Sequence, residues 1–199
     1  MFKNTKLFVY IYKMSILLIF IFILIIITLL HYHKYIKNTN LYQIDQQELE
    51  FVKGNELYDN LNPLVITFIE DNTLKFNIEN YKLYSDISID FKYFMINTDE
   101  KYLSHHNEIL LIKPKKEIIV ELINNSYHQY FKNKNKNKNL NYYILPSEYY
   151  SDVKSIEIKI HEYNILYIPR FWYFKFLSID NNVEIFTCNN IFTKLFNSV

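Results

Sequence analysis

The chain has 199 residues and a formal net charge of +1, with 22 lysine and arginine residues against 21 aspartate and glutamate residues. Half of its residues are hydrophobic, alanine is absent, and glycine and cysteine each occur once. With one glycine, the chain cannot form a phosphate-cradling loop, a dinucleotide-binding fingerprint or the nucleophile elbow of a hydrolase. A single cysteine allows neither an internal disulfide nor a zinc cluster.

An apolar segment near the N-terminus predicts one transmembrane helix. Residues 14–30 are interrupted only by Ser15 and Thr28, and residues 7–12 extend the apolar character. About 20 helical residues cross the hydrocarbon core of a bilayer, so the segment is long enough. A cleaved signal peptide would have a shorter apolar region followed by a small-residue cleavage site, and no such site follows here.

The lysines around this segment predict its orientation. Three lysines and the amino terminus lie before it, and two lysines lie after it, namely Lys3, Lys6, Lys13, Lys34 and Lys37. Excess positive charge favours the cytosolic side, which predicts a cytosolic N-terminus and a translocated remainder. We therefore predict that residues 1–37 are an anchor and its flanks, in contact with lipid through residues 7–30. The protein would be a single-pass protein of a host or virion membrane.

One domain, residues 41–199, is predicted behind the anchor. It begins with a short capped helix over residues 43–58 and a strand over residues 62–69 that proline opens. Short strands separated by turns follow over residues 71–104, 108–112 and 116–123. In total, about eight short strands against one helix favour a barrel or a sandwich.

Residues 132–139 are a two-residue repeat of lysine and asparagine. Such a tract has no apolar side chain to bury, so it is predicted to be a solvated, low-complexity loop between two strands. Four lysines could bind phosphates or anionic lipid. Repeat slippage in A-rich coding would produce the same sequence without selection for binding.

The segment from residue 156 onward carries the sharpest local pattern. Isoleucine alternates with polar residues over residues 156–160, which predicts a strand with one buried face. Residues 165–168 are apolar throughout, as in a strand covered on both faces, and Pro169 ends it. Further strands are predicted over residues 171–177 and 183–187, and the whole is predicted to form an antiparallel meander.

The only arginine and the only tryptophan of the chain fall in this segment, where residues 166–174 read Leu-Tyr-Ile-Pro-Arg-Phe-Trp-Tyr-Phe. The segment resembles a pattern of Jumonji C-type cupin-like domains, in which a strand pair precedes apolar-apolar-Ile-Pro-x-x-Trp-Trp-His. The helix and the proline-opened strand at the start of the domain are a second match, in the same order. The resemblance implies a mainly β, cupin-like double-stranded β-helix, or jelly-roll barrel, over roughly residues 45–199.

Two positions depart from the family pattern. Tyr163 and Asn164 stand where the family has a Gly-Asp turn, and Phe174 stands where the family has a histidine that binds catalytic iron. A phenyl ring has no lone pair for a metal. The resemblance therefore implies the fold and argues against the chemistry, so we assign no catalytic, cofactor-binding or metal-binding residue. Pro169, Arg170 and Trp172 remain as motif and interaction candidates.

An atypical iron site is the alternative. His106 and Glu108 have the His-x-Glu spacing of two ligands of a facial triad, and His161 would have to supply the third ligand from a different position. Arg170 could bind the carboxylate of a two-oxoglutarate co-substrate, or instead stack on Trp172 or pair with Glu162. The other reading places three histidines at the surface: His105, His128 and His161.

Three functions follow from these observations. The first is a membrane-anchored, inactive cupin-like domain with a structural or partner-binding role, no cofactor and no specific nucleic-acid partner. The second is a membrane-bound Fe(II)/2-oxoglutarate-type hydroxylase. The third is a single-pass envelope or membrane protein with an unrelated β domain. The composition and the anchored architecture resemble proteins of large A+T-rich DNA viruses, which implies a viral protein.

Overall fold

A computed structural model describes residues 2–36, 43–48, 52, 57, 60–67, 88–97, 101–107, 109–136, 140–177 and 182–190 of the chain. The chain divides into two compact units, Met1–Asn38 and Thr39–Val199. The first unit contains one long helix, and the second is built mainly from β-strands.

The N-terminal unit contains helix α1, Phe2–Ile36. Within it, the span Tyr12–Leu30 is long and apolar enough to cross a membrane, which confirms the predicted apolar helix. None of the side chains in this span is buried within the protein. The hydroxyl of Thr28 donates a hydrogen bond of 2.7 Å to the carbonyl of Leu24, four residues earlier. An internal bond of this kind removes the cost of placing a polar hydroxyl in an apolar environment.

Twelve strands lie among the described residues of the C-terminal unit. They are β1 Asp45–Glu48, β2 Leu64–Thr67, β3 Ser88–Asn97, β4 Tyr102–Ser104, β5 Ile109–Pro114, β6 Ile118–Ile123, β7 Lys132–Lys136, β8 Asn141–Ile144, β9 Ser155–Ile160, β10 Asn164–Ile168, β11 Tyr173–Phe176 and β12 Asn182–Asn190. The described secondary structure also includes two short 3-10 segments, Asn125–Tyr130 and Ser147–Tyr149.

The strands form two six-stranded sheets. The first sheet has the order β1-β2-β10-β5-β12-β3, and the second has the order β7-β8-β4-β11-β6-β9. Neighbouring strands are antiparallel except for β1 and β2, which are parallel. The prediction of a mainly β domain is therefore confirmed.

A hydrophobic core joins the inward faces of the two sheets. It includes Leu110 and Ile112 of the first sheet together with Val120, Leu122 and Phe174 of the second, all of them inaccessible to solvent. A second cluster covers the other face of the first sheet around Ile66 and Tyr167. Burial on both faces explains why the sequence of β10 is apolar from Ile165 to Ile168.

Several predicted strands agree with the structure. Strand β2 follows Pro63, β5 ends at Pro114, and β10 ends directly before Pro169, as expected for a residue that cannot donate to a ladder. In β9, Ile158 and Ile160 are buried while Glu157 and Lys159 are exposed, which confirms the period-2 pattern.

The predicted meander is wrong. Strands β9 and β11 lie in the second sheet, whereas β10 and β12 lie in the first. Successive strands therefore cross between the sheets instead of pairing with each other. The alternation of a strand shows that one face is buried, but it does not identify the neighbouring strand, and this is why the pattern misled.

Two other predictions fail locally. The predicted helix over residues 43–58 is wrong at its start, where strand β1 pairs in parallel with β2 from Asp45 to Glu48. Leu57, near the end of the range, is helical, and residues 49–51, 53–56 and 58 lie outside the described residues. The lysine and asparagine repeat, predicted to be a loop, forms strand β7 over Lys132–Lys136 and pairs with β8. An edge strand needs no apolar side chains of its own, and lysine is a common residue there. The strands predicted over residues 71–87 lie outside the described residues.

Candidate functional site

Two loops meet at one end of the two sheets. The first, residues 105–107, links β4 of the second sheet to β5 of the first. The second, residues 169–172, links β10 of the first sheet to β11 of the second. Both loops cross between the sheets, and we refer to the two together as the clasp.

Hydrogen bonds between the two stretches of chain hold the clasp closed. The backbone N–H of Phe171 donates to the carbonyl of His105 over 3.1 Å. The imidazole Nε2 of His105 lies 3.0 Å from the carbonyl oxygen of Ile168. The guanidinium Nε of Arg170 donates to the carbonyl of Asn107 over 3.0 Å. The loop that carries the His-x-Glu motif is thus fixed by the Pro-Arg-Phe-Trp turn, although the two are more than 60 residues apart in sequence.

His105 is fully buried in the clasp, so its predicted place at the surface is wrong. Because a carbonyl oxygen can only accept, Nε2 carries the proton of the neutral ring and Nδ1 presents a lone pair. Burial lowers the pKa of His105 to about 3, and the positive charge of Arg170 acts in the same direction. The ring is therefore neutral at physiological pH and serves as a hydrogen-bond donor between the two sheets.

Arg170 is also buried, with 4% of its surface exposed. Its Nε–H group reaches the carbonyl of Asn107, and Asn107 is itself buried. A guanidinium group offers several N–H donors in a fixed plane, which suits a site where loop carbonyls must be satisfied. Arg170 therefore fixes the loop before β5.

Phe171 adopts a left-handed backbone conformation with φ of 65°. A non-glycine residue with a large side chain rarely occupies this region, because its Cβ approaches the following carbonyl oxygen. The phenyl ring packs edge-to-face against His106, with 5.0 Å between ring centroids. The strand predicted to begin at Phe171 starts only at Tyr173, because this turn intervenes.

The three motif candidates, Pro169, Arg170 and Trp172, all lie below the surface. Pro169 is buried, and Trp172 has 2% of its surface exposed within the core between the sheets. A partner approaching the turn would reach the half-buried Phe171 before any of them. These residues maintain the clasp from inside.

Phe174 occupies an inward position on β11. It pairs with Leu103 of β4 on one side and with Leu122 of β6 on the other, and its side chain is completely buried in the core between the sheets. The side chain of Phe174 therefore belongs to the hydrophobic core between the sheets. Phe176, on the same face of the strand, packs edge-to-face against it at 5.8 Å.

His161 lies far from the clasp. The row that contains Phe174 and Leu122 ends at Ile156 of β9, and His161 follows Ile156 by five residues, or roughly 16 Å of extended strand. The clasp lies on the other side of that row. Strands β11 and β9 both run antiparallel to β6, and Trp172 comes before the row whereas His161 comes after it. His161 is therefore not in a position to complete a triad with His106.

The surroundings of His161 are solvent-exposed and charged. Its Nδ1 lies 2.9 Å from Glu117, and Lys159 lies 2.7 Å from the other oxygen of the same carboxylate. The hydrogen bond from Lys159 lowers the pKa of Glu117. His161 is exposed as predicted, and His128 is exposed as well.

No group of three histidine, cysteine, aspartate or glutamate side chains that could hold a metal ion occurs among the residues that the structure describes. Glu108, the second residue of the predicted ligand pair, lies outside those residues. In comparisons with known proteins, no protein-family model matches the chain, and no curated protein sequence matches it significantly.

The sequence pattern did not reveal the role of His105. It stands beside His106, in a polar stretch that carries no hydrophobic periodicity. One feature of the sequence predicts its burial: His105 directly follows Ser104, the last residue of strand β4. Alternation along the strand places residue 105 on the same inward face as Leu103. That signal can be used only once the bounds of β4 are known.

Proposed function

We propose that this chain is a single-pass membrane protein whose C-terminal unit is a cupin-like domain without catalytic activity, serving to hold or bind a partner. One observation carries the proposal: Phe174 is buried at the inward position where the resembling family places an iron-binding histidine. Phenylalanine provides no metal ligand. The hydrogen bonds of the clasp connect main-chain and side-chain groups of the two loops, which supports a structural role for the clasp.

The strand order supports a cupin-like double-stranded β-helix. A chain that winds as a two-stranded helix and then flattens places successive strands alternately in two sheets, and cupins are built this way. Here the chain alternates between the two sheets from β3 to β6 and again from β9 to β12, and β6 pairs with β9 in the second sheet. Strands β1 and β2 extend one sheet, and β7 and β8 extend the other.

The position of the motif within this winding is a second support. The His-x-Glu stretch lies in the loop between β4 and β5, and the Pro-Arg-Phe-Trp turn lies directly before β11. The clasp brings the two together through hydrogen bonds between main chain and side chain. Two distant segments that the family resemblance relates are thus neighbours in space.

The anchor is supported by helix α1. Its span Tyr12–Leu30 has the length and composition of a transmembrane helix. We place the domain on the side opposite a cytosolic N-terminus, as the flanking lysines suggest. Residence in a virion membrane stays a prediction from composition.

Iron loading of the full-length protein in detergent micelles tests the absence of chemistry. The purified protein is loaded anaerobically with Fe(II) and two-oxoglutarate, and bound iron is measured by mass spectrometry. Oxygen is then admitted, and succinate formation is measured. We expect no stoichiometric iron and no succinate above the protein-free rate.

Two variants test the alternative that the protein is an iron-dependent hydroxylase. Stoichiometric iron that is lost in His106→Ala, together with succinate formation, would establish the hydroxylase and refute the proposal. Retention of that iron in His161→Ala would place the iron site at the clasp, and its loss would establish the triad that includes His161. His161→Ala is the matched control, because it removes an exposed imidazole at the opposite end of the second sheet.

A further inference from the structure

Strand β7 lies at one end of the second sheet, with β8 as its neighbour. It pairs with β8 from Lys132 opposite Ile144 to Lys136 opposite Asn141. Within the described part of the sheet, the opposite side of β7 has no strand beside it. A strand in this position presents a row of backbone N–H and C=O groups on which another extended chain can pair.

Strand β7 lies in a stretch of sequence that is rich in positive charge. Residues 122–147 contain four lysines, Lys132, Lys134, Lys136 and Lys138, and no aspartate or glutamate. Five of the 22 basic residues and none of the 21 acidic residues lie in residues 1–38, which leaves 17 basic against 21 acidic residues in residues 39–199. The stretch of sequence that contains β7 is therefore cationic, whereas the rest of residues 39–199 carries a net negative charge.

The β7 edge is unsuited to self-association. Pairing between two copies of β7 would bring lysines of one copy close to lysines of the other, and like charges across a strand pair are destabilising. Lysine on an edge strand is a common protection against this kind of association. The same charges favour a strand that carries carboxylates.

The extended backbone of β7 favours a peptide over a lipid as the anionic partner. A lysine tract that binds lipid headgroups needs no fixed backbone, because its affinity comes from charge near the membrane surface. Here the pairing with β8 already holds residues 132–136 extended, so a peptide would meet a preorganised edge. Main-chain hydrogen bonds would provide affinity, and pairing of lysine with carboxylate would provide selectivity.

We propose that the side of β7, Lys132–Lys136, that faces away from β8 is a docking edge for an extended acidic segment of a partner protein. The inference rests on the partner-binding role proposed above and names the chemistry of that partner. It does not depend on the absence of iron chemistry, so the two proposals can fail separately.

Fluorescence anisotropy with the full-length protein in nanodiscs of zwitterionic lipid provides the test. The probe is a labelled 12-residue peptide in which glutamate alternates with threonine. Two further peptides serve as controls: one has glutamine in place of glutamate, and the other keeps every glutamate but has proline at alternate threonine positions. We expect saturable, salt-sensitive binding of the first peptide and at least tenfold weaker binding of both controls.

Two variants locate the site. Replacing Lys132, Lys134, Lys136 and Lys138 with glutamine should weaken binding of the glutamate-threonine peptide at least tenfold. The matched control replaces the exposed residues Lys115, Lys116, Lys154 and Lys159 with glutamine, which changes the net charge equally and should change binding less than threefold.

Several outcomes would overturn the inference. Equal binding of the proline-containing peptide would show attraction by charge alone, with no strand pairing. Equal weakening in both lysine variants would show that the β7 edge is not the site. Binding to anionic vesicles but not to the glutamate-threonine peptide would assign the lysines to lipid instead. The peptide comparison uses the unaltered protein, so it decides the question even if the quadruple lysine variant does not fold.

Discussion

His105 and His161 lie at opposite ends of the second sheet and differ in every respect that decides what a histidine can do. His105 is buried, donates to the carbonyl of Ile168 and has a pKa lowered to about 3. His161 is exposed and lies beside Glu117, a carboxylate that Lys159 also contacts. The first histidine joins two sheets, and the second lies beside a carboxylate at the surface. Residue identity alone therefore carries no information about a metal site here.

The largest expected effect comes from removing the buried imidazole. His105→Ala leaves a cavity and an unpaired carbonyl at Ile168, and we expect it to lower the free energy of unfolding by about 3 kcal/mol. His161→Ala removes one exposed pair and should cost at most about 0.5 kcal/mol. Denaturant unfolding of the full-length protein in micelles measures the free energy of unfolding of the two variants. The fluorescence of Trp172 is the probe, because Trp172 is the only tryptophan and is buried in the clasp.

Comparable losses for the two alanine variants would contradict the assignment of His105 as a joint between the sheets. Stability close to that of the unaltered protein in His105→Gln would support this assignment. Glutamine keeps an N–H donor that could reach the carbonyl of Ile168 while removing the titrating ring.

The pH dependence of stability separates the same two residues. The folded pKa of His105 is about 3, below the ordinary value of 6.5, so the unfolded chain binds a proton that the folded protein excludes. Stability from this residue is fully present above pH 6.5 and falls as the pH drops toward 3, by about 1.4 kcal/mol per pH unit. Between pH 7 and pH 5 the loss amounts to about 2 kcal/mol.

His105→Gln should remove this slope, and His161→Gln should retain it. The lowered pKa of Glu117 keeps that carboxylate ionised through the same window, so its pairing is lost only at lower pH. Unfolding curves recorded at pH 5, 6 and 7 for the three proteins make the comparison. A slope that persists in His105→Gln would assign the acid sensitivity to another group.

The sequence predicts one end of this sheet better than the other. Alternation along β9 gives the buried and exposed residues up to His161, because a single strand with one wet face carries that information locally. Burial of His105 depends on β4 and β10 lying in different sheets and meeting at the clasp, which no local pattern encodes. Arg170 was assigned possible partners close in sequence, yet it contacts the carbonyl of Asn107, 63 residues away.

Tertiary context also overrides composition at the edge of this sheet. The lysine and asparagine repeat has low intrinsic strand propensity, and β7 forms because β8 offers a ladder for it. Apolar content was a sounder guide in helix α1, where length and composition alone define the element. Predictions held where one segment determines its own structure and failed where a distant segment determines it.

The smallest expected effect concerns the turns at the two ends. Phe171 in the clasp has φ of 65°, whereas Tyr163 lies in a turn closed by a 2.9 Å bond from Asn164 N–H to the carbonyl of His161, with no positive φ. Glycine tolerates left-handed backbone but costs conformational entropy elsewhere. We therefore expect Phe171→Gly to be more stable than Phe171→Ala by about 1 kcal/mol. Tyr163→Gly should be less stable than Tyr163→Ala by about 0.5–1 kcal/mol. Within each pair the lost side-chain contacts are nearly matched, so opposite signs in denaturant unfolding would locate the backbone strain in the clasp, and equal signs would refute it.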